Sequence, residues 1–398
     1  MTDRLYYADS YARRFTGRVI ETTREGDRPA VVLDRSAFYP TSGGQPHDTG
    51  RLGSARVEDV TTREGDSAVL HVLSAPLEGD AVEGDIDWAR RFDHMQQHSG
   101  QHILSQAFLR TMGAETIGFH LGAGMVSIDL SGPDLAEGRV AEAEALANQI
   151  AGSNAAVRAW FPEPGELTRL ALRKLPDVAG PVRVVAIGDF DVSACGGTHV
   201  AATGEVGHIA VQQVERLKRG ARIQFLCGHR AQADYARKSG IVRQLATALT
   251  CSPEELSGSV HRLHSALQDA RRQLAAVRER ELDAEAALML RGSIQRGAIR
   301  VVRAGWEQRA IEEVKGLALR ITSSPGVVGL FGVGGPKAQL LFARSEETAT
   351  DLEPVFRKAL ELLGGGKGGG GRMLQGAAGP AGLPDIERVL DASEAALR

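Results

Sequence analysis

Apolar and polar positions alternate in four short stretches of the first ninety residues: "RVIETTR", "PAVVLDRS", "SARVEDVTTR" and "AVLHVLS". A period of two predicts strands with one buried face, and the Gly, Asp and Pro between them supply turns. Several short strands without an intervening helix predict a small β-barrel over residues 1–90.

The period changes after residue 91. In "HSGQHILSQAFLRTMG", Ile103, Leu104, Ala107 and Phe108 follow helical spacing, and Gly113 marks the stop. "GMVSIDLSG" reads as a strand, and "DLAEGRVAEAEALANQIAGSN" as a second helix ending near Gly152. "AAVRAWFP", "VRVVAIGD" and "RIQFLCG" read as further strands, so residues 91–250 are expected to form an α+β domain on an antiparallel sheet. Over 251–292, Leu256, Val260, Leu263, Leu267, Ala270, Leu274 and Val277 step by four and three, a short coiled-coil seam that breaks at Glu281. Residues 293–398 alternate strand and helix, with a glycine-rich loop before the closing helix, and read as an α/β module. The expected architecture is therefore an α+β multidomain chain.

Composition adds bounds. The chain has 398 residues, 42% hydrophobic and 24% charged, with a formal net charge of −3. That balance suits a globular protein and gives no global pull toward nucleic acid, so an RNA partner would need local basic patches. No apolar run is long enough to span a bilayer, and the polar start "MTDRLYYADSYARRF" does not read as a signal peptide, so the expected location is cytoplasmic. Three cysteines, Cys195, Cys227 and Cys251, are an odd count that points to ligand or buried thiol rather than a disulfide framework.

Two pairs of residues carry candidate chemistry. His98 and His102 lie at i and i+4, on one face of a helix. Alone they are half a zinc site, and Ser99 stands where a metalloprotease motif needs Glu. The second pair is in "DVSACGGTHVAATGEVG", where Gly196 and Gly197 between Cys195 and His199 disfavour a helix and suit a tight loop. His98, His102, Cys195 and His199 together offer a tetrahedral nitrogen and sulfur set, which selects zinc over magnesium or calcium. Four protein ligands normally close a structural site, whereas a catalytic site keeps one position open, and the sequence leaves both open.

"HMQQHSGQH" followed by "CGGTHV" resembles the editing domain of alanyl-tRNA synthetase and of the stand-alone alanyl-tRNA editing proteins, the AlaX family; the threonyl-tRNA synthetase editing domain is a more distant relative. "FYPTSGGQPHDTG" resembles the family's N-terminal glycine motif, and "TIGFHLGAGMVSIDL" its pocket-lining segment. "GGGKGGGGRMLQGAAG" resembles the C-terminal DHHA1 domain, as in the long form of the editing proteins. The full synthetase carries a class II catalytic domain ahead of these elements, and this sequence starts at the barrel. The resemblance implies a freestanding deacylase that acts in trans on tRNA(Ala) carrying serine or glycine. The coiled-coil seam reads as either a hairpin arm or a homodimer contact through the C-terminal half.

An alanine-activating pocket cannot strongly reject serine or glycine, so a second, hydrolytic site is needed. By resemblance, Thr116 and His120 are the candidates that sense the serine hydroxyl; Gly118 departs from a glutamine that the bacterial synthetase places there. The Gly196–Gly197 amides would stabilise the oxyanion, and zinc would polarise the ester carbonyl. Gln45 and Asp48 would contact tRNA or shape the site from a loop that could equally be a plain hairpin turn. Asp191 reads as a turn residue or a supporting partner of the metal site. Arg222, within the basic "RLKRGARIQF", and Lys367 and Arg372, beside the tail glycines, are candidate RNA contacts. Rival readings are an RNA-binding protein with a structural zinc and a deacylase of another mischarged tRNA such as Ser-tRNA(Thr). A DHH-type phosphoesterase would need an Asp-His-His cluster that "FDHMQQH" does not supply.

Overall fold

The long alternating strand Arg14–Glu25 pairs on one side with Arg28–Leu33 and on the other with Ala81–Ile86, and so closes the N-terminal strands on themselves. The computed structural model describes residues 2–132, 137–163, 165–174 and 180–397. Round the barrel, Arg14–Glu25 is followed by Arg28–Leu33, Val69–Leu73, Ala55–Thr62, Gly50–Leu52 and Ala81–Ile86. Val31, Leu33, Val57, Val60, Val69, Leu73, Val82 and Ile86 fill one core cluster with Phe38. Val57 and Val60 both face that core, although they are three apart, because the register slips between Val57 and Asp59. A bulge of this kind breaks the period of two that the sequence pattern assumes.

The helix Trp88–Met112 leaves the barrel directly. Asp87 caps its start by accepting the Arg90 N–H, and Gly113 ends it in the left-handed region at φ 68°. Its apolar residues Met95, Ile103, Leu104, Ala107 and Phe108 share a core with Val126, Ile128, Ile223 and Phe225 of an antiparallel four-stranded sheet. That sheet runs Ile209–Leu217, Gly220–Cys227, Val126–Leu130, Thr116–Leu121. A second antiparallel sheet orders Val157–Trp160, Val184–Ile187 and Asp191–Ala194. The second helix covers Glu137–Gly152; the first residues of its expected span, 134–136, lie outside the described residues.

The helix buries more than its apolar stripe. Arg91, His94, Gln96, Gln97, His98, Ser99, Gln101 and His102 are all buried polar groups. Burial without hydrogen bonds would be costly, and half of these groups, Arg91, Gln96, Gln97 and Ser99, are paired with distant backbone. The Gln97 side chain exchanges two hydrogen bonds with the backbone of Cys227, at 2.9 and 2.8 Å. Gln96 donates to the Glu205 carbonyl at 2.8 Å.

The chain divides into two compact units, residues 1–248 and 249–398. The barrel and the α+β region thus share one unit, and the long helix Leu256–Arg291 belongs to the other. In that second unit a six-stranded sheet has one parallel pair, Ile299–Trp306 with Val327–Val333, and is otherwise antiparallel. Helix Ile311–Thr322 and the end of the long helix pack one face through Val314, Leu317 and Ala286. Helices Glu353–Leu362 and Leu383–Ala396 cover the other through Phe356 and Ile386. The seam residues Val260, Leu263, Leu267, Leu274 and Val277 are exposed.

The glycine-rich tail is a correction to the expected loop. Gly366–Gly369 is an edge strand paired with Met373–Ala378. A side chain at Gly368 would stand 2.5 Å from the Gln375 carbonyl oxygen, so only glycine lets these two backbones approach as they do. Among the described residues no helix is long and apolar enough to cross a membrane.

Candidate metal centre

His98 and His102 project from one face of the Trp88–Met112 helix, as the i, i+4 spacing requires. Cys195 follows directly on strand Asp191–Ala194, and the loop after it turns His199 back toward the helix. One ligand atom from each of the four residues lies within 4.8 Å of all the others. The Cys195 Sγ stands 3.4 Å from His98 Nε2 and 3.3 Å from His199 Nε2. The loop is tight because Gly197 lies against the His98 ring; a Cβ there would come within 2.2 Å of His98 Cε1.

Each imidazole is held from behind through Nδ1. His98 Nδ1 meets Gln45 Oε1 at 2.8 Å, His102 Nδ1 meets Asp191 Oδ2 at 3.1 Å, and His199 Nδ1 meets the Ser99 hydroxyl at 3.1 Å. Gln45 Oε1 also accepts the Thr198 N–H at 3.1 Å, while its Nε2 donates to Thr198 Oγ1 at 2.8 Å. That orientation makes the amide an acceptor toward His98, which leaves Nε2 free for a cation. Partners of this kind orient metal-ligating histidines and raise their basicity. Phe119 stacks on His98 with ring centroids 5.2 Å apart.

The electrostatics suit a cation. Burial alone would raise the Cys195 thiol, but His98, His199 and His102 outweigh it and hold it well below its ordinary value. Burial opposes a charge on His102, yet the Cys195 thiolate and Asp191 lift it to about 9. Burial drives His199 down to about 3. The cluster therefore favours a thiolate at Cys195, and a metal ion held there would compete with the proton on His102. The residues present fit a metal ion: three nitrogens and a sulfur, converging and oriented.

A cavity of about 380 Å³ opens on this cluster, lined by His98, Gln101, His102, Ser105, Thr116 and Cys195 among others. Gln101 Nε2 donates to Ser105 Oγ at 2.8 Å, and Thr116 Oγ1 donates to the same oxygen at 2.7 Å. Arg173, on the cavity wall, reaches Asp191 Oδ1 at 3.3 Å. A larger groove of about 610 Å³, lined by Gly207, Ala231 and Tyr235, lies elsewhere on the same unit, and the four-residue cluster is the metal-ligating group found among the described residues.

The other sequence-derived candidates divide. Thr116 and Gly118 line the cavity, but His120 is exposed, pairs through its backbone with Ser127 and is not among the lining residues. Gln45 is fully buried behind His98, so it orients a ligand and has no surface to offer RNA. Asp48 is buried too. It accepts the Tyr39 N–H at 2.6 Å and the Arg91 Nε at 2.9 Å, which ties the glycine-motif loop to the helix. The Gly197 N–H points at Cys195 Sγ at 3.4 Å, so it serves the thiolate rather than an oxyanion; Gly196 is exposed at the loop tip. Arg222 is paired with Asp129 across adjacent strands at 2.7 and 2.9 Å. Arg372 pairs with Glu346 at 2.9 Å in the C-terminal unit, and Lys367 is exposed on the glycine edge strand. Sequence reading missed Gln101, Ser105 and Arg173. Gln101 precedes His102 and Ser105 follows it by three, so helical spacing alone could have placed both on or beside the ligand face.

Asp191→Asn removes the carboxylate behind His102. The expected outcome is a metal affinity lower by about 10–100-fold, with unchanged far-ultraviolet circular dichroism. Chelator competition reads the affinity, and a value within twofold of the parent protein would contradict the orienting role.

Two family models match the chain. One, described as the threonyl and alanyl tRNA synthetase second additional domain, matches residues 182–224, which hold the Cys195–His199 loop. The other, described as tRNA synthetases class II (A), matches residues 4–90, which hold the barrel. Alanyl-tRNA editing protein AlaX-L of Pyrococcus horikoshii is 28% identical over 382 residues, covering 93% of each chain. Alanyl-tRNA editing protein Aarsd1 of Mus musculus is 30% identical over 381 residues, covering 91% of each. Alanine–tRNA ligase of Pyrococcus furiosus is 32% identical over 291 residues, and the match covers 70% of this chain but 31% of the ligase. The chain thus spans under half of the ligases it matches and nearly all of the editing proteins. With nine-tenths of its length aligned to Aarsd1 at 30% identity, the chain, whose His98, His102, Cys195 and His199 could hold a metal ion, belongs to the alanyl-tRNA editing protein family.

Proposed function

We propose that the chain is a zinc-dependent deacylase that hydrolyses the ester of mischarged Ser-tRNA(Ala), and less efficiently Gly-tRNA(Ala). The observation that carries this reading is the opening of an oriented three-nitrogen, one-sulfur cluster onto a cavity whose wall carries the Gln101–Ser105–Thr116 hydrogen-bond chain. Tetrahedral zinc with ordinary bond lengths places a sulfur and a nitrogen ligand about 3.6 Å apart; the Sγ–Nε2 separations here are 3.4 and 3.3 Å, and all four ligand atoms lie within 4.8 Å of one another. A zinc ion held there supplies a Lewis acid for an ester carbonyl.

The chain's own groups supply selection. Thr116 spends its hydroxyl hydrogen on Ser105, which leaves its oxygen lone pairs as acceptors facing the cavity. A seryl hydroxyl can donate to that oxygen; an alanyl methyl group or a glycyl hydrogen cannot. An acceptor left unpaired in a closed site costs about 1–3 kcal/mol, which favours serine over both.

The test is deacylation of Ser-, Gly- and Ala-tRNA(Ala) by purified protein, with metal content measured in the same sample. Turnover should run Ser, then Gly, then Ala. Thr116→Val should lower kcat/KM for Ser-tRNA(Ala) by roughly 5- to 150-fold and raise the slow rate on Ala-tRNA(Ala), since no unpaired acceptor then opposes the alanyl methyl group. Metal-replete protein with no turnover on any of the three would sink the deacylase reading and leave a structural metal.

A further inference from the structure

One aromatic group beside the metal centre takes no part in the chemistry above. Phe161 follows strand Val157–Trp160, and its side chain is 46% exposed. Its ring meets Tyr7 edge-on, with centroids 5.6 Å apart and planes at 77°. Tyr7 in turn stands at the tip of the cysteine loop: a methyl group at Gly196 would come within 3.7 Å of the Tyr7 hydroxyl. Two cations flank the Tyr7 ring, with the Arg4 and Arg183 guanidinium carbons 5.7 and 5.5 Å from its centroid. Arg4 also donates to the Tyr7 hydroxyl at 3.0 Å, and Arg183 holds the Gly197 carbonyl at 2.8 Å. The tyrosine is thus clamped in place relative to the metal-binding loop, and the phenylalanine beyond it presents an open ring.

We infer that Tyr7 and Phe161 form the seat of the substrate's terminal nucleobase. The inference rests on the deacylase reading and extends it to the leaving group. The scissile ester is carried on the terminal ribose, so a base is tethered to the same sugar and must lie just outside the cavity when the carbonyl is at the metal centre. An exposed phenylalanine on its own is ordinary. Here it stands one aromatic contact from the exposed Gly196, whose neighbour Cys195 lines the cavity, while Tyr7 and Phe161 lie outside the lining, on the side where a tethered base would leave it. Every base has a π-face, so stacking gives binding without reading sequence. The exposed Lys174, on the cavity wall, places a positive charge near the adjoining phosphates.

The experiment uses full-length, metal-replete protein and tRNA(Ala) with 2-aminopurine as its 3′-terminal base. Binding should quench the 2-aminopurine emission in the parent protein and in Phe161→Trp, and the quench should vanish in Phe161→Ala. In turnover, Phe161→Ala should raise KM for Ser-tRNA(Ala) by roughly 5- to 150-fold, the range for losing one stacked base, with kcat much less affected. Phe161→Trp should restore KM. Equal quenching and equal KM in Phe161→Ala would overturn the inference while parent-level deacylation left the enzyme reading standing. Quenching lost in Phe161→Ala, in a parent protein that deacylates none of the three aminoacyl-tRNAs, would do the reverse.

Discussion

Cys195→Ala is expected to end stoichiometric metal binding and, with it, deacylation. Cys195 supplies the single sulfur of the cluster and stands 3.4 and 3.3 Å from two of the imidazoles. Its thiolate is the one anionic donor and offsets half the charge of a dication, since the three remaining ligands are neutral when bound. Loss of a supporting partner costs about 10–100-fold in affinity, so loss of a direct anionic donor should cost at least about 100-fold. A ligand bound at 1,000 times its Kd stabilises the folded state by about 4.1 kcal/mol, so the variant should also lose the stabilisation that zinc gives the parent protein. Metal analysis after dialysis, chelator competition and thermal unfolding with and without zinc measure these effects. One tightly bound metal per chain in Cys195→Ala would show that the centre lies elsewhere.

The second large effect is expected far from any reacting atom. Arg91 and Asp48 are both 0% exposed and bonded to each other. Arg91 also donates to the carbonyls of Ser10 at 2.8 Å and Ala37 at 2.6 Å, so one guanidinium joins the N-terminal segment, the barrel and the helix that carries His98 and His102. Asp48→Asn keeps the shape and removes the countercharge. Breaking one partner of a buried pair typically costs about 3–5 kcal/mol, and urea unfolding should show a loss of that size. Metal affinity should fall as well, because the helix is anchored less than two turns before His98. The double variant Asp48→Leu with Arg91→Met removes both charges and should recover much of the loss, since apolar replacement of a buried pair is often neutral. An Asp48→Asn variant within about 1 kcal/mol of the parent would mean that the pair is not buried in solution.

The ligand set was legible in the sequence because its information is local. Two histidines at i and i+4 share a helix face whatever the rest of the chain does, and a Cys-Gly-Gly-Thr-His run limits its own backbone. Histidine and cysteine are also the side chains that bind soft and borderline metals, so composition narrows the choice. The strands and helices named from period are present, but period left unnamed the helix Gly228–Ala248 and the strands Ala81–Ile86 and Ile209–Leu217, and it missed the pairing of the tail glycines, which depends on a partner strand and on close backbone approach.

Apart from Asp191, which read as a turn residue or a supporting partner, what supports the ligands was not legible, because it is assembled across the chain. Gln45 lies 53 residues from His98, Asp191 lies 89 from His102, and Ser99 lies 100 from His199. Gln45 and Asp48 look like loop residues available to RNA, and only burial shows that one orients a ligand and the other neutralises Arg91. The polar run His94–His102 has no amphipathic signature, since most of its buried polar groups are satisfied by distant backbone and side-chain partners that the sequence cannot place. By itself, then, the sequence determined which side chains can bind a metal and which local elements carry them. The tertiary structure decided which groups orient those side chains and where the cavity opens, because each depends on contacts between residues that only folding brings together.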